Sequence, residues 1–186
     1  FRSRICFPSN MGGIAGGKKF QVKGMLLKFA DPTGGPYNNS FELAAKAAAH
    51  DLRGATAFLQ HGRKAGLSLS LQTNIDFCGH RLQAMQLLPL EKHVVGSGDA
   101  CDTLPHADEE VCAKFKIVAD ELGLAEHDIT VGDETVRLHF GADVEGHLGK
   151  DGRHYVLDTA RTFPSECFKI TTAKACTKLP GCVGSK

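Results

Sequence analysis

The sequence predicts an α+β fold in which antiparallel hairpins pack with two or more helices. Several segments alternate apolar and polar residues, which is the pattern of half-buried strands, and turn residues separate them. Other segments repeat apolar residues at the spacing of amphipathic helices. These segments do not follow one another as βαβ units, so we do not expect a parallel sheet. A degenerate kinase-like arrangement is one version of this fold.

A chain of 186 residues that is 42% hydrophobic and 23% charged can bury the core of one domain. This composition excludes a disordered chain, a collagen-like fibre and a coiled coil. We expect a basic, glycine-rich arm over residues 1–19, an α+β domain over 20–164 and a polar tail over 165–186. Because no apolar run approaches the roughly 20 residues of a transmembrane helix, we expect no membrane insertion.

Three strands are predicted in the first half of the domain. Residues 20–30 alternate apolar residues with lysines, and a phase shift at Gly24 has the form of a β-bulge. Residues 67–77 have the clearest alternation in the chain, and residues 80–88 are their hairpin partner, which Pro89 ends. The residues of the second strand predicted to face the core are Leu67, Leu69, Leu71, Thr73, Ile75 and Phe77.

Two helices are predicted between these strands and beyond them. Asn39 and Ser40 are candidate N-caps for a helix that extends to about Gln60, although Gly54 favours a break into two pieces. A second helix is predicted over 107–122, with acidic residues in its first turn and a glycine at its end. Its apolar face consists of Val111, Cys112, Phe115, Val118, Ala119 and Leu122.

The last strands form a hairpin in this prediction. Residues 135–140 alternate, and segments 142–148 and 153–157 lie on either side of a turn that contains the strong hairpin signal Asp151-Gly152. We expect His147 and His154 to face each other across this hairpin, and Asp158 to form an ion pair with Arg161.

The charge distribution indicates phosphate binding near the N-terminus. The first 30 residues contain six lysines and arginines and no acid, whereas residues 99–145 contain thirteen acids and three bases. A basic arm of this kind can contact nucleic acid. The residues that we predict to bind nucleic acid are Arg2, Arg4, Lys18, Lys19, Lys23 and Lys28, with Arg81, Arg153 and Arg161 as additions.

A nucleotide site is the alternative interpretation of the same region. A glycine-rich loop, a strand lysine, a helix glutamate and a late aspartate follow the order that kinases use to bind ATP and magnesium. The residues of this alternative are Gly12, Gly13, Gly16, Gly17, Lys28, Glu42 and Asp158. The chain has no G-x-G-x-x-G loop and no H-R-D catalytic loop, so catalytic activity is doubtful. A solvated lysine and a structural turn aspartate would explain Lys28 and Asp158 equally well.

No catalytic residue, metal site or cofactor is predicted outside that alternative. The seven cysteines include no Cys-x-x-Cys pair and match no zinc motif, so reduced thiols of a cytoplasmic protein are the expectation. No serine or cysteine lies in a G-x-S-x-G nucleophile turn. The nine histidines have no recognisable ligand spacing, and we expect structural roles for them.

Three motifs resemble the central Clu domain of the clustered mitochondria (Clueless) family. Residues 49–55 read AHDLRGA, residues 76–89 read DFCGHRLQAMQLLP, and residues 145–164 read EGHLGKDGRHYVLDTARTFP. The third motif is similar to the family's G-x-x-G-x-D-G-R-x-Y-x-L-D-x-x-R-x-x-P signature almost position for position. The resemblance covers about residues 40–164.

The resemblance implies a cytoplasmic, non-enzymatic binding module. Members of the family bind messenger RNAs for mitochondrial proteins, associate with ribosomes and initiation factor 3, and affect the distribution of mitochondria. The resemblance therefore implies messenger RNA, ribosomes or initiation factor 3 as partners. It does not imply an oligomeric state or a particular binding surface. A structural scaffold without any ligand stays open as a third interpretation.

Overall fold

The computed structural model describes residues 18–33, 37, 39–98 and 104–164, together with the backbone of residues 7 and 8. Within these residues the α-helices are α1 (Phe41–His61) and α2 (Glu109–Leu122), and 3₁₀ helices lie at Gly62–Ala65 and Thr159–Arg161. The strands are β1 (Phe7–Pro8), β2 (Lys19–Val22), β3 (Met25–Phe29), β4 (Leu67–Leu69), β5 (Gln72–Phe77), β6 (His80–Gln86), β7 (Leu90–Gly96), β8 (His106–Ala107), β9 (His127–Val131), β10 (Glu134–Leu138), β11 (Glu145–Gly149) and β12 (His154–Leu157). Helices combined with mostly antiparallel strands confirm the α+β prediction.

The first sheet has the strand order β1-β2-β3-β6-β5 and is antiparallel throughout. The single strand predicted over residues 20–30 is instead the hairpin β2–β3. Lys23 and Gly24 form its turn with φ values of 43° and 81°, so the phase shift marks a two-residue turn and not a bulge. Cys78 and Gly79 form the corresponding turn between β5 and β6, with φ values of 49° and 77°, which confirms that predicted hairpin.

The segment predicted as one strand over residues 67–77 is two strands in different sheets. β4 belongs to the second sheet, and the chain crosses to the first sheet before β5 begins. β5 is also reversed relative to the prediction, because Ile75 and Phe77 are 40% and 65% exposed, as is Leu71 just before the strand, at 74%. The amide groups of Gln72 and Asn74 point inward and donate hydrogen bonds to backbone oxygens of α1 at 3.4 and 3.0 Å. Alternation identified the two faces correctly but could not show which face a helix covers.

The second sheet has the strand order β4-β12-β11-β7-β8, in which only the β4–β12 pair is parallel. The hairpin β11–β12 is the one predicted around Asp151-Gly152. β7 was not predicted, because Pro89 was expected to end the extended segment. Pro89 instead lies at the crossing from the first sheet back to the second, and β7 contributes the buried residues Val94 and Val95 to the core.

The first helix is continuous, so the predicted break at Gly54 is wrong. Ser40 is its N-cap, and the Ser40 hydroxyl accepts a hydrogen bond from the backbone amide of Leu43 at 3.2 Å. A Cβ atom at position 54 would overlap the carbonyl oxygen of Thr159 and lie 2.6 Å from the hydroxyl oxygen of Thr162. Glycine at this position therefore allows α1 to approach the 3₁₀ helix at Thr159–Arg161 closely.

The main core lies between the second sheet and the two helices. The N-cap Asp108 accepts a hydrogen bond from the backbone amide of Val111 at 3.1 Å, and a left-handed glycine ends α2 as predicted. The rings of Phe58, Phe115 and Phe140 pack with centroids 4.8–5.6 Å apart. The residues of the predicted apolar face of α2 that are buried are Val111, Phe115, Val118 and Ala119.

The remaining strands, β9 and β10, form a separate antiparallel hairpin. β10 corresponds to the strand predicted over residues 135–140, whereas β9 was not predicted. Neither helix in the described part of the chain has the length and apolarity required to cross a bilayer.

Candidate nucleic-acid interface

The first sheet has an inner face packed on α1 and an outer face on the opposite side. Asn74, Gln83, Lys28 and Lys19 are register neighbours across four strands and therefore share one face. This is the inner face, because Asn74 binds α1 and the Gln83 amide donates to the Asp51 carboxylate of α1 at 2.7 Å. Successive side chains of a strand alternate between faces. The outer face thus consists of Phe20, Val22, Met25, Leu27, Phe29, Thr73, Ile75, Phe77, His80, Leu82 and Ala84.

Four aromatic side chains form a row across the outer face. The ring centroids of Phe20 and Phe29 are 5.7 Å apart, and those of Phe29 and His80 are 6.1 Å apart, both in edge-to-face geometry. Phe77 lies directly opposite His80 in the β5–β6 register and is 65% exposed. We call Phe20, Phe29, His80 and Phe77 the aromatic row. Phe77 and His80 are exposed, whereas Phe20 and Phe29 are half-buried. Exposed rings on an antiparallel sheet are surfaces on which unpaired nucleobases stack.

Two of the predicted basic residues lie at the margins of the outer face. Lys18 is exposed immediately before β2, and its carbonyl oxygen accepts a hydrogen bond from the amide of Phe29 at 2.9 Å. Lys18 is therefore beside the aromatic row. Lys23 is exposed in the β2–β3 turn at the opposite end of these strands.

The other predicted arginines are engaged with acids of the chain. Arg81 makes two hydrogen bonds of 2.8 Å to the carboxylate of Asp76. Arg161 binds Asp143 at 2.7 Å, so the predicted pairing of Arg161 with Asp158 is wrong. Arg153 is 70% exposed, 3.8 Å from an acid of the hairpin turn. Of the predicted site residues, Arg2, Arg4, Gly12, Gly13, Gly16 and Gly17 lie outside the described residues.

Two residues of the nucleotide alternative meet on the inner face. Lys28 Nζ is 3.5 Å from Asp158 Oδ1. Burial lowers the pKa of Lys28, but the carboxylates of Asp158 and Asp51 outweigh burial and raise it above its usual value. Glu42 lies exposed in the first turn of α1 and is not the acid that faces Lys28. Burial, followed by the charge of Lys28, lowers the pKa of Lys19.

Asp51 connects three parts of the fold. Its carboxylate accepts hydrogen bonds from Gln83 at 2.7 Å and from the Thr159 hydroxyl at 2.8 Å, and all three residues are buried. These residues come from segments 49–55, 76–89 and 145–164, which are the three motifs that resemble the Clu domain. A cavity of about 10 Å³ lies beside Asp51 and Asp158, which is room for about one water molecule. The motifs thus meet at a hydrogen-bond cluster that holds α1, β6 and the 3₁₀ helix together.

Histidines form a cluster that sequence reasoning missed. His147 lies opposite Tyr155, and His154 contacts Lys114 of α2, so the predicted pairing of His147 with His154 is wrong. The ring of His147 instead stacks on His93 of β7 at 4.7 Å. Burial lowers the pKa of His93. The sequence analysis missed this cluster because it did not predict β7, the strand that places His93 beside β11.

Comparison with known proteins gives a family and several relatives. The family model described as Clustered mitochondria matches residues 3–168. The chain is 29% identical over 140 residues to the clustered mitochondria protein homolog of Brugia malayi, which covers 67% of the chain and 10% of that protein. It is 31% identical over 131 residues to the clustered mitochondria protein of Arabidopsis thaliana, which covers 64% of the chain and 9% of that protein. A homolog from Caenorhabditis briggsae is 30% identical over 144 residues, 70% of the chain and 11% of that protein.

The chain spans about a tenth of the length of these relatives. No solved structure matches it. The family match extends over most of the chain and includes all three motifs that meet at Asp51. The chain therefore belongs to the clustered mitochondria (Clu) family.

Proposed function

We propose that this chain is a non-enzymatic module that binds single-stranded RNA on the outer face of its first sheet. The observation that supports this proposal is the aromatic row, with Phe77 65% exposed at one end. Each base stacked on such a ring contributes about 1–3 kcal/mol, largely independently of sequence. Lys18 lies beside the row and Lys23 at the other end of β2 and β3, so the two exposed lysines supply positive charge at both margins of the outer face.

This proposal reduces the number of lysines and arginines that we expect to contact RNA phosphates. Arg81 and Arg161 would have to break ion pairs within the chain before they could contact phosphate, and Lys28 would have to leave Asp158. Lys18 and Lys23 are exposed and form no ion pair with a carboxylate among the described residues, whereas the 70% exposed Arg153 lies 3.8 Å from Asp151. We therefore assign phosphate contact to Lys18 and Lys23 and leave Arg153, on the second sheet, as a secondary contact.

The family gives this binding its biological context. The relatives are named for clustered mitochondria. The resemblance of the three motifs to the Clu domain implies messenger RNA, ribosomes or initiation factor 3 as partners. We propose that this chain takes part in the distribution of mitochondria from the cytoplasm, and that messenger RNA is the ligand of the outer face.

Fluorescence anisotropy of a labelled oligouridine, titrated with the 186-residue chain at several salt concentrations, tests the proposal. Phe77→Ala should weaken binding roughly 5- to 150-fold, because one stacked base is worth about 1–3 kcal/mol. Lys18→Gln should lower the slope of log affinity against log salt by about 0.7. Phe41→Ala is the matched control, since Phe41 is 43% exposed at the start of α1. Equal effects of the two phenylalanine changes, or binding insensitive to salt, would refute the proposal.

A nucleotide site is the second candidate, and the 3.5 Å contact between Lys28 and Asp158 favours it. A nucleotide bound only to the folded state at 100 times its dissociation constant should add about 2.7 kcal/mol of stability. Thermal melting with and without ATP and magnesium measures this gain. It should disappear in Lys28→Ala and persist in the control Lys23→Ala. Unchanged melting of the unmodified chain would remove the nucleotide candidate and leave the RNA proposal intact.

A further inference from the structure

Two imidazoles and one carboxylate converge on the face of the second sheet opposite α2. Gly146 faces α2, because a Cβ atom there would lie 3.0 Å from a side chain of that helix. Its neighbours Glu145 and His147 therefore project from the other face. His93 is opposite His147 in the β7–β11 register, and the two rings stack at an angle of 11°. One ligand atom from each of the three side chains lies within 4.8 Å of the others.

The carboxylate in this cluster has no lysine or arginine partner in the described part of the chain. The Glu145 side chain is 15% exposed, and its ion-pair contact is His147 at 2.7 Å, which is charged only when protonated. Removing a carboxylate from water costs free energy unless a cation or several hydrogen bonds compensate. A bound divalent cation would supply that charge.

His93 already has the hydrogen bond of a metal-binding histidine. Its Nε2 lies 2.8 Å from the carbonyl oxygen of Val95. Because a carbonyl oxygen only accepts, Nε2 carries the proton and Nδ1 keeps its lone pair. Histidines that bind metals commonly donate their second ring N–H to a carbonyl or carboxylate in this way, which fixes the tautomer and the ring orientation.

We propose that His93, His147 and Glu145 bind a zinc-like divalent cation that ties β7 to β11. Two imidazole nitrogens and one carboxylate oxygen form a donor set that suits Zn²⁺ at 2.0–2.2 Å and leaves one position for water. Ligand atoms around tetrahedral zinc are about 3.3 Å apart. The three donors lie within 4.8 Å of one another, and His147 is already 2.7 Å from Glu145, so side-chain rotations of about 1.5 Å or less would complete the site. The inference is independent of RNA binding, because the cluster lies on the second sheet.

Isothermal titration of the metal-free chain with Zn²⁺, together with absorption spectra of its Co²⁺ form, tests this site. We expect one ion per chain, a tetrahedral cobalt spectrum and no thiolate-to-cobalt charge-transfer band. His93→Ala, His147→Ala and Glu145→Gln should each weaken binding at least about tenfold. His106→Ala is the control: the ring of His106 is 5.1 Å from that of His93, yet it is not among the three ligands.

Melting of each variant without metal establishes that it folds. Should either alanine variant not fold, Glu145→Gln decides the question, because glutamine keeps the volume of glutamate and removes its charge. The proposal is overturned by an absence of binding, by a thiolate band, or by a loss in His106→Ala equal to that in His93→Ala. Undiminished binding in a folded Glu145→Gln variant would also overturn it.

Discussion

Replacing Gly54 with alanine has two opposite effects on stability, because alanine favours the helix but its Cβ atom has no room at this position. In an exposed helix the change would stabilise the protein by about 1 kcal/mol. Here the new Cβ would lie 2.6 Å from the Thr162 hydroxyl and would overlap the Thr159 carbonyl, so α1 and the 3₁₀ helix must separate. Overpacking costs about 1–3 kcal/mol. The Thr159 hydroxyl shares its one hydrogen between two oxygens of Asp51, the backbone oxygen at 2.7 Å and a carboxylate oxygen at 2.8 Å. Losing this shared hydrogen bond adds about 1–3 kcal/mol when a buried partner stays unsatisfied. After the helix-propensity gain of about 1 kcal/mol is subtracted, we expect a net destabilisation of about 1–5 kcal/mol.

Urea unfolding followed by circular dichroism measures this change, with the m-value as a check that the unfolded state is unaltered. Gly62→Ala is the matched control. Gly62 has helical φ of −71°, and a Cβ atom there would meet its nearest neighbour at an ordinary 3.4 Å. That variant should be neutral or more stable by up to about 1 kcal/mol. If Gly54→Ala is as stable as Gly62→Ala, the close approach of α1 to the 3₁₀ helix does not exist as described.

Three further outcomes are expected. Asp51→Ala should lower the free energy of unfolding by about 1–3 kcal/mol, because the buried amide of Gln83 loses its hydrogen-bond acceptor. A urea midpoint near that of the unmodified chain would contradict this. Iodoacetamide should modify the exposed Cys78 well before Cys112, whose pKa burial raises, and peptide mass spectrometry that finds equal rates would contradict this. Burial raises the pKa of Asp143 above 3.8, so the folded state binds the proton more tightly than the unfolded state. Stability relative to Asp143→Asn should therefore increase as pH falls from 7 towards 4, and urea unfolding at each pH would contradict the reasoning if the sign were opposite.

The fold class, the N-cap of α1, the glycine that ends α2 and the hairpin turns at Cys78-Gly79 and Asp151-Gly152 could be predicted because each depends on a local pattern. The buried face of β5 could not be predicted. The alternation from Leu71 to Phe77 shows that one face is more apolar than the other, but it does not show which face a helix covers. Similarly, a proline can end a strand or lie between two, and Pro89 does the latter. The aromatic row needed the β2–β3 and β5–β6 registers together, and only the structure supplies the alignment of one hairpin with the other.

The route of the chain between the two sheets makes them inseparable. In the sequence, the hairpin β5–β6 of the first sheet lies between β4 and β7 of the second sheet. The parallel partner of β4 is β12, which is far along the chain. No continuous fragment contains one complete sheet without part of the other. Long-range closures of this kind slow folding, and they make unfolding an all-or-none event for the whole unit. An RNA bound on one sheet and a metal bound on the other would therefore each raise the melting temperature of both.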